Sequence, residues 1–198
     1  MIDYKFKNAD EAFNFYYGVI PYEGQRFDNT MAMFNQGFTI ENPLDRMITN
    51  EARNFNVEYA EAEWQWYLSG NRSTAKLGEL YGKIPKIWQD MSDGNGNVNS
   101  NYGYQWERGY QLDRVVAMLK DNPKTRRATV SIYDGKEISK YKYDTPCTYA
   151  VQFTVVNNKL NYVQSGNKYP LRILFSLTLV LVVYWNNTDQ YRNQTRDH

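Results

Sequence analysis

The chain has one thiol, Cys147, and one imidazole, His198, at the last of its 198 positions. A thiol attacks as its thiolate, so Cys147 can be a nucleophile only where something stabilises or creates that anion. The scarcity of histidine excludes Cys-His and Ser-His-Asp catalysis unless His198 folds back into a site. Something other than histidine must then activate the thiol, and a nearby cation would serve, such as the neighbouring pair Arg126-Arg127. Such a pair is also a good phosphate clamp. Adjacent strand residues point to opposite faces, so both arginines reach one phosphate only from a strand end or across a subunit boundary. The alternatives are plain ones: a solvated basic pair, and an inert structural thiol. Cys147 follows Pro146 and opens a run whose odd-numbered residues are apolar, so its sulfur is expected to look into the core.

Glu63 is the residue placed to handle protons. It lies inside a helical stripe of Val57, Ala60, Trp64, Tyr67 and Leu68. With each residue turning about 100°, it stands about 40° from Tyr67 and about 60° from Ala60, at the edge of the expected buried face. Desolvation there raises a carboxyl's pKa towards neutrality, where it can donate or relay protons. The other reading is a boundary glutamate whose head reaches solvent.

The elements that must hold these groups follow from periodicity. Asn8 and Glu11 form a capping-box pattern ahead of Phe13, Tyr16, Tyr17 and Ile20, predicting a helix from about Ala9 to Ile20. The stripe around Glu63 predicts a second helix, stopped at Ser69-Gly70, and Leu112, Val115, Val116 and Leu119 predict a third, ending before Asn122-Pro123. Ser92 to Asn97 has turn chemistry and is predicted to be a loop. After Pro123 the period falls to two. Ala128, Val130 and Ile132 mark one strand, and Tyr149, Val151, Phe153 and Val155 another. Asn157-Asn158 is a tight turn into a third, Lys159 to Val163. Helices followed by strands imply an α+β class, and 198 residues imply a single domain, 1–198. Ile173 to Trp185 is apolar but, at 13 residues, too short to span a membrane, so a buried strand or core helix is expected.

The bulk numbers narrow the function further. With 23 Lys and Arg against 22 Asp and Glu, the net charge of +1 provides no field for direct nucleic-acid or membrane binding, so any anion site is local. One cysteine and one histidine exclude a disulfide framework and leave too few ligands for zinc, so no metal is expected. Met1 to Asp10 lacks the pattern of a secretory leader, making the cytoplasm the expected compartment.

Five segments carry a resemblance. They are Glu63-Trp64-Gln65-Trp66-Tyr67-Leu68-Ser69-Gly70, Pro85-Lys86-Ile87-Trp88, Asn99 to Trp106, Asn122-Pro123-Lys124-Thr125-Arg126-Arg127, and Asp144-Thr145-Pro146-Cys147-Thr148, with Gln152 and Phe153 following the cysteine. In order and spacing they resemble the thymidylate synthase and deoxycytidylate hydroxymethylase superfamily. Glu41 to Arg46 and Ile48 to Asn50 resemble its phage-type branch, so the similarity covers about residues 26–163. The resemblance implies a fold of helices packed on a twisted mixed sheet, and a homodimer. It implies one-carbon transfer from 5,10-methylenetetrahydrofolate to carbon 5 of dUMP or dCMP. By the same resemblance Cys147 is the nucleophile, Glu63 organises water and moves protons, and Tyr102 helps remove the carbon 5 proton. Trp88 lines the folate site, Arg126 and Arg127 reach across the dimer to the partner's nucleotide phosphate, and Arg26 approaches that phosphate from its own subunit. Thr148, where thymidylate synthases proper carry histidine, tilts the resemblance towards the hydroxymethylases.

The pattern stops after Val163. The arginine-serine pair and aspartate that the family places about 20 residues beyond the cysteine would fall near Asn167, Lys168 and Pro170. Residues 164–198 depart from the family, and an altered or truncated C-terminus and divergence into a catalytically inactive nucleotide-binding relative both account for that.

Overall fold

The structure is a computed structural model, and it describes residues 4–28 and 30–166. The apolar run from Ile173 to Trp185 and the positions Asn167, Lys168 and Pro170 lie outside the described residues. Two compact units emerge, one whose described part is 4–55 and one whose described part is 56–166.

In the first unit, helix α1 (Ala9–Glu23) is accompanied by four short strands, β1 (Tyr4–Phe6), β2 (Gln25–Phe27), β3 (Thr30–Ala32) and β4 (Phe38–Ile40). Strands β1 and β4 pair in parallel, β2 and β3 antiparallel. The Asn8 side chain accepts from the Glu11 N–H at 2.9 Å, and the Glu11 carboxylate accepts in turn from the Lys7 N–H at 2.5 Å. The capping box therefore closes one residue earlier than its usual form. The helix runs past the expected Ile20, through Pro21, to Glu23. Ala12 and Tyr16 bury with Phe6 against Phe38 and Ile40, while Tyr17 is 55% exposed and belongs to the outer face.

The second unit carries helices α2 (Val57–Leu68), α3 (Thr74–Tyr81), α4 (Lys86–Met91), α5 (Tyr102–Glu107) and α6 (Gln111–Asp121). Its antiparallel sheet has the order β5 (Thr129–Ser131), β6 (Thr148–Val156), β7 (Lys159–Gly166). Helix α6 packs Leu112, Val115 and Leu119 inward beside β5 and β6, where Val130, Val151 and Phe153 are buried. Asn157 and Asn158 both take positive φ, at 51° and 59°, the primed-turn geometry that matches the twist of a hairpin. Strand β7 continues to Gly166, beyond the expected Val163. The α+β class stands as expected. The expected mixed sheet is instead three small sheets among the described residues, one parallel and two antiparallel.

Two local expectations are corrected. The buried face of α2 is centred on Ala62, Trp66 and Tyr67, whereas Val57 and Leu68 are 46% and 45% exposed. Glu63 stands one turn from Tyr59 and Tyr67 and is half-buried, at the border of that face. In β6, Thr148 pairs with Gly166 and Ala150 with Ser165, so the strand bulges around Tyr149. A bulge reverses the alternation beyond it. Thr148 is therefore fully buried and Tyr149 is 41% exposed, and Cys147, expected to open the strand, lies just before it and is half-buried rather than in line with Val151 and Phe153.

Candidate active site

A connected chain of side chains runs from α4 to the start of β6. Asn56 caps α2 by accepting from the Tyr59 N–H at 2.8 Å, which fixes the turn that carries Tyr59 and Glu63. The Trp88 indole, buried in α4 and edge-on to Trp66 at 5.3 Å, donates to the Tyr59 hydroxyl at 2.7 Å. Tyr59 donates to Glu63 Oε1 at 2.6 Å. One turn on, the Tyr67 hydroxyl is pushed well above the ordinary phenol range, first by burial and then by the charge of the Glu63 carboxylate. Tyr67 packs edge-on to Tyr102 with ring centroids 5.8 Å apart. The Tyr102 oxygen then accepts from the backbone N–H groups of Cys147, at 3.0 Å, and Thr148, at 3.2 Å. Trp88, Glu63, Tyr102 and Cys147, singled out in separate parts of the sequence, thus meet in one constellation.

Close approach of α5 to α2 makes this possible. A Cβ on Gly103 would stand 1.6 Å from the Tyr67 carbonyl oxygen, so only glycine lets Tyr102 reach its place. Fully buried Asn101 joins the same two helices. Its Nδ2 donates to the carbonyls of Trp66 at 3.1 Å and Asn71 at 3.0 Å, while its Oδ1 caps α5 by accepting from the Tyr104 N–H at 2.9 Å. Both amide hydrogens and the amide oxygen are thus engaged within the protein.

The nucleophile candidate is held from below by the residues just before α5. Asn99 Nδ2 donates to the Asp144 carbonyl at 2.8 Å. Ser100 donates twice to the buried Asp144 carboxylate, from its N–H at 2.5 Å and its hydroxyl at 2.6 Å. Tyr133 adds a bond from its hydroxyl to the Pro146 carbonyl at 2.6 Å. Burial, then the Asp144 carboxylate, push the Cys147 thiol up from its ordinary value. Burial likewise raises the Tyr102 hydroxyl above the usual phenol range, against the pull of the Thr148 and Cys147 donors. The phenol is neutral near pH 7, its oxygen accepting from two backbone donors while it keeps its proton.

Arg126 and Arg127 lie exposed in the turn between α6 and β5. Gln152 Nε2 donates to the Arg126 carbonyl at 3.1 Å, and the Arg127 N–H donates to Thr125 Oγ1 at 3.3 Å, so the backbone is fixed while both guanidiniums stay outside. They occupy the strand end where neighbouring side chains can share one anion. Arg26 belongs to the first unit, in β2, where its Nε donates to the Asp28 carbonyl at 3.4 Å. Thr148 Oγ1 accepts from Gln164 Nε2 at 2.7 Å. Among the described residues there is no group of three or more His, Cys, Asp or Glu able to hold a metal ion, and no helix long and apolar enough to cross a membrane.

Sequence reasoning missed Tyr59, Asn101, Ser100 and Asp144 as working parts of this site. The last three stand inside the family-like segments, and a polar residue in such a segment beside a nucleophile was the available signal. Tyr59 carried a weaker one, standing one helical turn before Glu63.

These site residues lie within the stretch of the chain that is similar to known proteins. The family model described as thymidylate synthase matches residues 24–167. The deoxycytidylate 5-hydroxymethyltransferase of Enterobacteria phage T4 is 35% identical over 117 residues, which cover 54% of this chain and 46% of that protein. The thymidylate synthase of Buchnera aphidicola is 31% identical over 136 residues, covering 65% and 49%. The chain therefore spans about half the length of the curated relatives it matches. The crystal structure of thymidylate synthase from T4 phage superposes with a TM-score of 0.52 at 21% identity, over 64% of this chain and 51% of that one. With the family model matching well over half of its length, the chain belongs to the thymidylate synthase family.

Proposed function

We propose that this chain performs folate-dependent one-carbon transfer to carbon 5 of a deoxypyrimidine monophosphate, dUMP or dCMP. The observation that carries the reading is a pair of linked runs, Trp88–Tyr59–Glu63 and Tyr67–Tyr102–Cys147, with Glu63 acting electrostatically on Tyr67, which brings together a nucleophile, a carboxylate and an aromatic wall. Carbon 5 of a pyrimidine is a poor nucleophile until a thiolate adds at carbon 6, and Cys147 is the chain's only thiol. Tyr102 holds the Cys147 backbone and keeps its own proton, so it serves as a relay to and from the carbon 5 proton and not as a phenolate base. Glu63, held by Tyr59, orients water and moves protons beside the ring.

A pterin is a flat ring with a polar edge, and Trp88 tied through Tyr59 to Glu63 offers an aromatic surface next to a carboxylate, so these residues fit a folate. Bound there, 5,10-methylenetetrahydrofolate would supply the one-carbon unit. Arg126 and Arg127, exposed at a strand end, suit the nucleotide phosphate of a twofold partner, with Arg26 as a further phosphate ligand. Thr148 in place of histidine favours hydroxymethylation over methylation, with water in place of hydride completing the product. A second reading, a catalytically inactive nucleotide-binding relative, is supported by the thiol that burial and Asp144 push up.

Trapping separates the two. Fluorine at carbon 5 cannot leave as a cation, so 5-fluoro-dUMP or 5-fluoro-dCMP with methylenetetrahydrofolate is expected to give a covalent adduct that mass spectrometry maps to Cys147. Cys147→Ser should give none while keeping its circular dichroism spectrum. Wild-type protein that binds nucleotide yet traps neither analogue decides for the inactive relative.

A further inference from the structure

The second unit holds a cavity of about 310 Å³, bounded by the link between α2 and α3, the loop that carries Asp93 and Asn97, helix α5 and the segment 137–143. No residue of the two runs that lead from Trp88 to Cys147 lines it. Arg72 is fixed in its wall on three sides. The Nε donates to the Val98 carbonyl at 2.9 Å and Nη2 to Asn99 Oδ1 at 2.8 Å, while the guanidinium lies over the Tyr104 ring, 5.1 Å from its centroid. Asn99 is held in turn by Gln105, whose Nε2 donates to its carbonyl at 2.8 Å. Nη1 of Arg72 is left without a hydrogen-bond partner among the described residues. A guanidinium immobilised in this way with one edge open is preorganised for an oxyanion.

Charge and lining name the class of ligand. Arg72, Lys140 and Lys142 line the cavity together with Asp93 and Glu137. Both carboxylates are already engaged. Asp93 Oδ1 accepts from the N–H groups of Asn95 and Asn97, each at 2.9 Å, and Glu137 Oε1 is shared by Lys140 at 2.8 Å and Arg108 at 3.9 Å. Arg72 and Lys142 enter no salt bridge among the described residues, so they are the cations left for a ligand. The rings of Tyr104 and Tyr143 and the Asn97 amide stand in the same lining, and that amide can both donate and accept. We propose that this cavity is an anion site separate from Arg126 and Arg127, which takes a phosphate group on Arg72 and Lys142, with the two tyrosines and Asn97 against any ring the phosphate carries. Guanidinium N–H groups match phosphate oxygens in pairs, and an ammonium adds a point charge. Aromatic faces receive any nucleobase, and a volume at the lower end of small-molecule sites suits a mononucleotide.

Inorganic phosphate and adenosine 5′-monophosphate share this chemistry, and titration calorimetry on the full chain tells them apart. A purine nucleotide has no part in the reaction proposed for Cys147, so failure of that reaction and failure of this site are visible separately. At least one of the two probes is expected to bind with a Kd below about 1 mM. Adenosine monophosphate bound about tenfold tighter than phosphate, or more, makes a nucleotide the ligand, and a smaller ratio makes it free phosphate. Arg72→Gln and Lys142→Gln should each weaken binding by about fivefold or more. Lys142 is exposed and makes no side-chain bond among the described residues, so its variant keeps the test open even if Arg72→Gln loosens the loop at Asn99. Arg126→Gln should bind as the wild type does. Two probes that both fail to bind at about 1 mM overturn the proposal, and so does Lys142→Gln with wild-type affinity. Binding weakened by Arg126→Gln instead places the phosphate at the strand end and overturns it too.

Discussion

Single side chains in this site matter through the bonds they complete. Tyr59 accepts from Trp88 and donates to Glu63, so its hydroxyl satisfies two groups that would otherwise lose partners away from bulk water. Removing one member of such a run leaves the others unsatisfied, at about 1–3 kcal/mol. Tyr59→Phe should therefore lower stability by roughly that amount in urea denaturation, without a change in secondary structure. A loss of less than about 0.5 kcal/mol would mean that water replaces the hydroxyl readily. Residue identity made Cys147, Glu63 and the arginine pair legible in the sequence, because few other side chains could act as nucleophile, proton carrier or phosphate ligand. Tyr59, Asn101 and Asp144 were not legible in the same way. Their work is set by partners 29, 35 and 44 residues away, a separation that no local pattern records.

At the scale of elements, what periodicity revealed depended on length. Helices α1, α2 and α6 run for 11 to 15 residues and declare themselves by an apolar repeat, whereas α4 and α5, of six residues each, are too short to show one. Phase was harder to read than existence. Aromatic and aliphatic residues lie on both sides of α2, and only packing selects the Ala62–Trp66–Tyr67 face on whose border Glu63 stands. The bulge at Tyr149 is likewise invisible to an alternation rule that assumes one residue per step. Two glycines test how far the helices are constrained. Gly103→Ala would drive a methyl group into the Tyr67 carbonyl, backbone against backbone, and is expected to cost more than about 3 kcal/mol or to prevent folding. Gly18→Ala, in α1 with nothing within 4 Å of the added carbon, should instead stabilise by about 0.5–1 kcal/mol. Thermal or urea melts of the two variants should shift in opposite directions. Equal effects would contradict the close contact of α5 with α2.

For the whole molecule, a net charge of +1 means that the response to pH comes from particular groups rather than from self-repulsion. Among the described residues five buried or half-buried acids, Cys147, Tyr16, Tyr67, Tyr102 and Tyr141, have their pKa values raised in the folded chain, each first by burial. The unfolded chain releases these protons first, at about pH 8.5 for cysteine and about 10 for tyrosine. Their contribution to stability is therefore complete below about pH 8 and is lost as pH rises through those values. Asp93 and Asp134 act in the opposite sense. Backbone bonds from Asn97 and Asn95 lower the first, and the bond from Arg108 lowers the second, so their contributions are present at neutrality and fall away as the carboxylates protonate in acid. The urea midpoint should accordingly hold steady between about pH 6 and 8 and decline between about pH 8.5 and 10.5. Cys147→Ser removes the earliest of the alkaline steps, because serine does not ionise in this range. In that variant the decline should begin about one pH unit later, at the tyrosines, and keep its steep upper part. Superimposable profiles for the two proteins would mean that Cys147 is not held in a setting that disfavours its anion, and a midpoint that rises between about pH 8.5 and 10.5 would reverse the sign assigned to these groups.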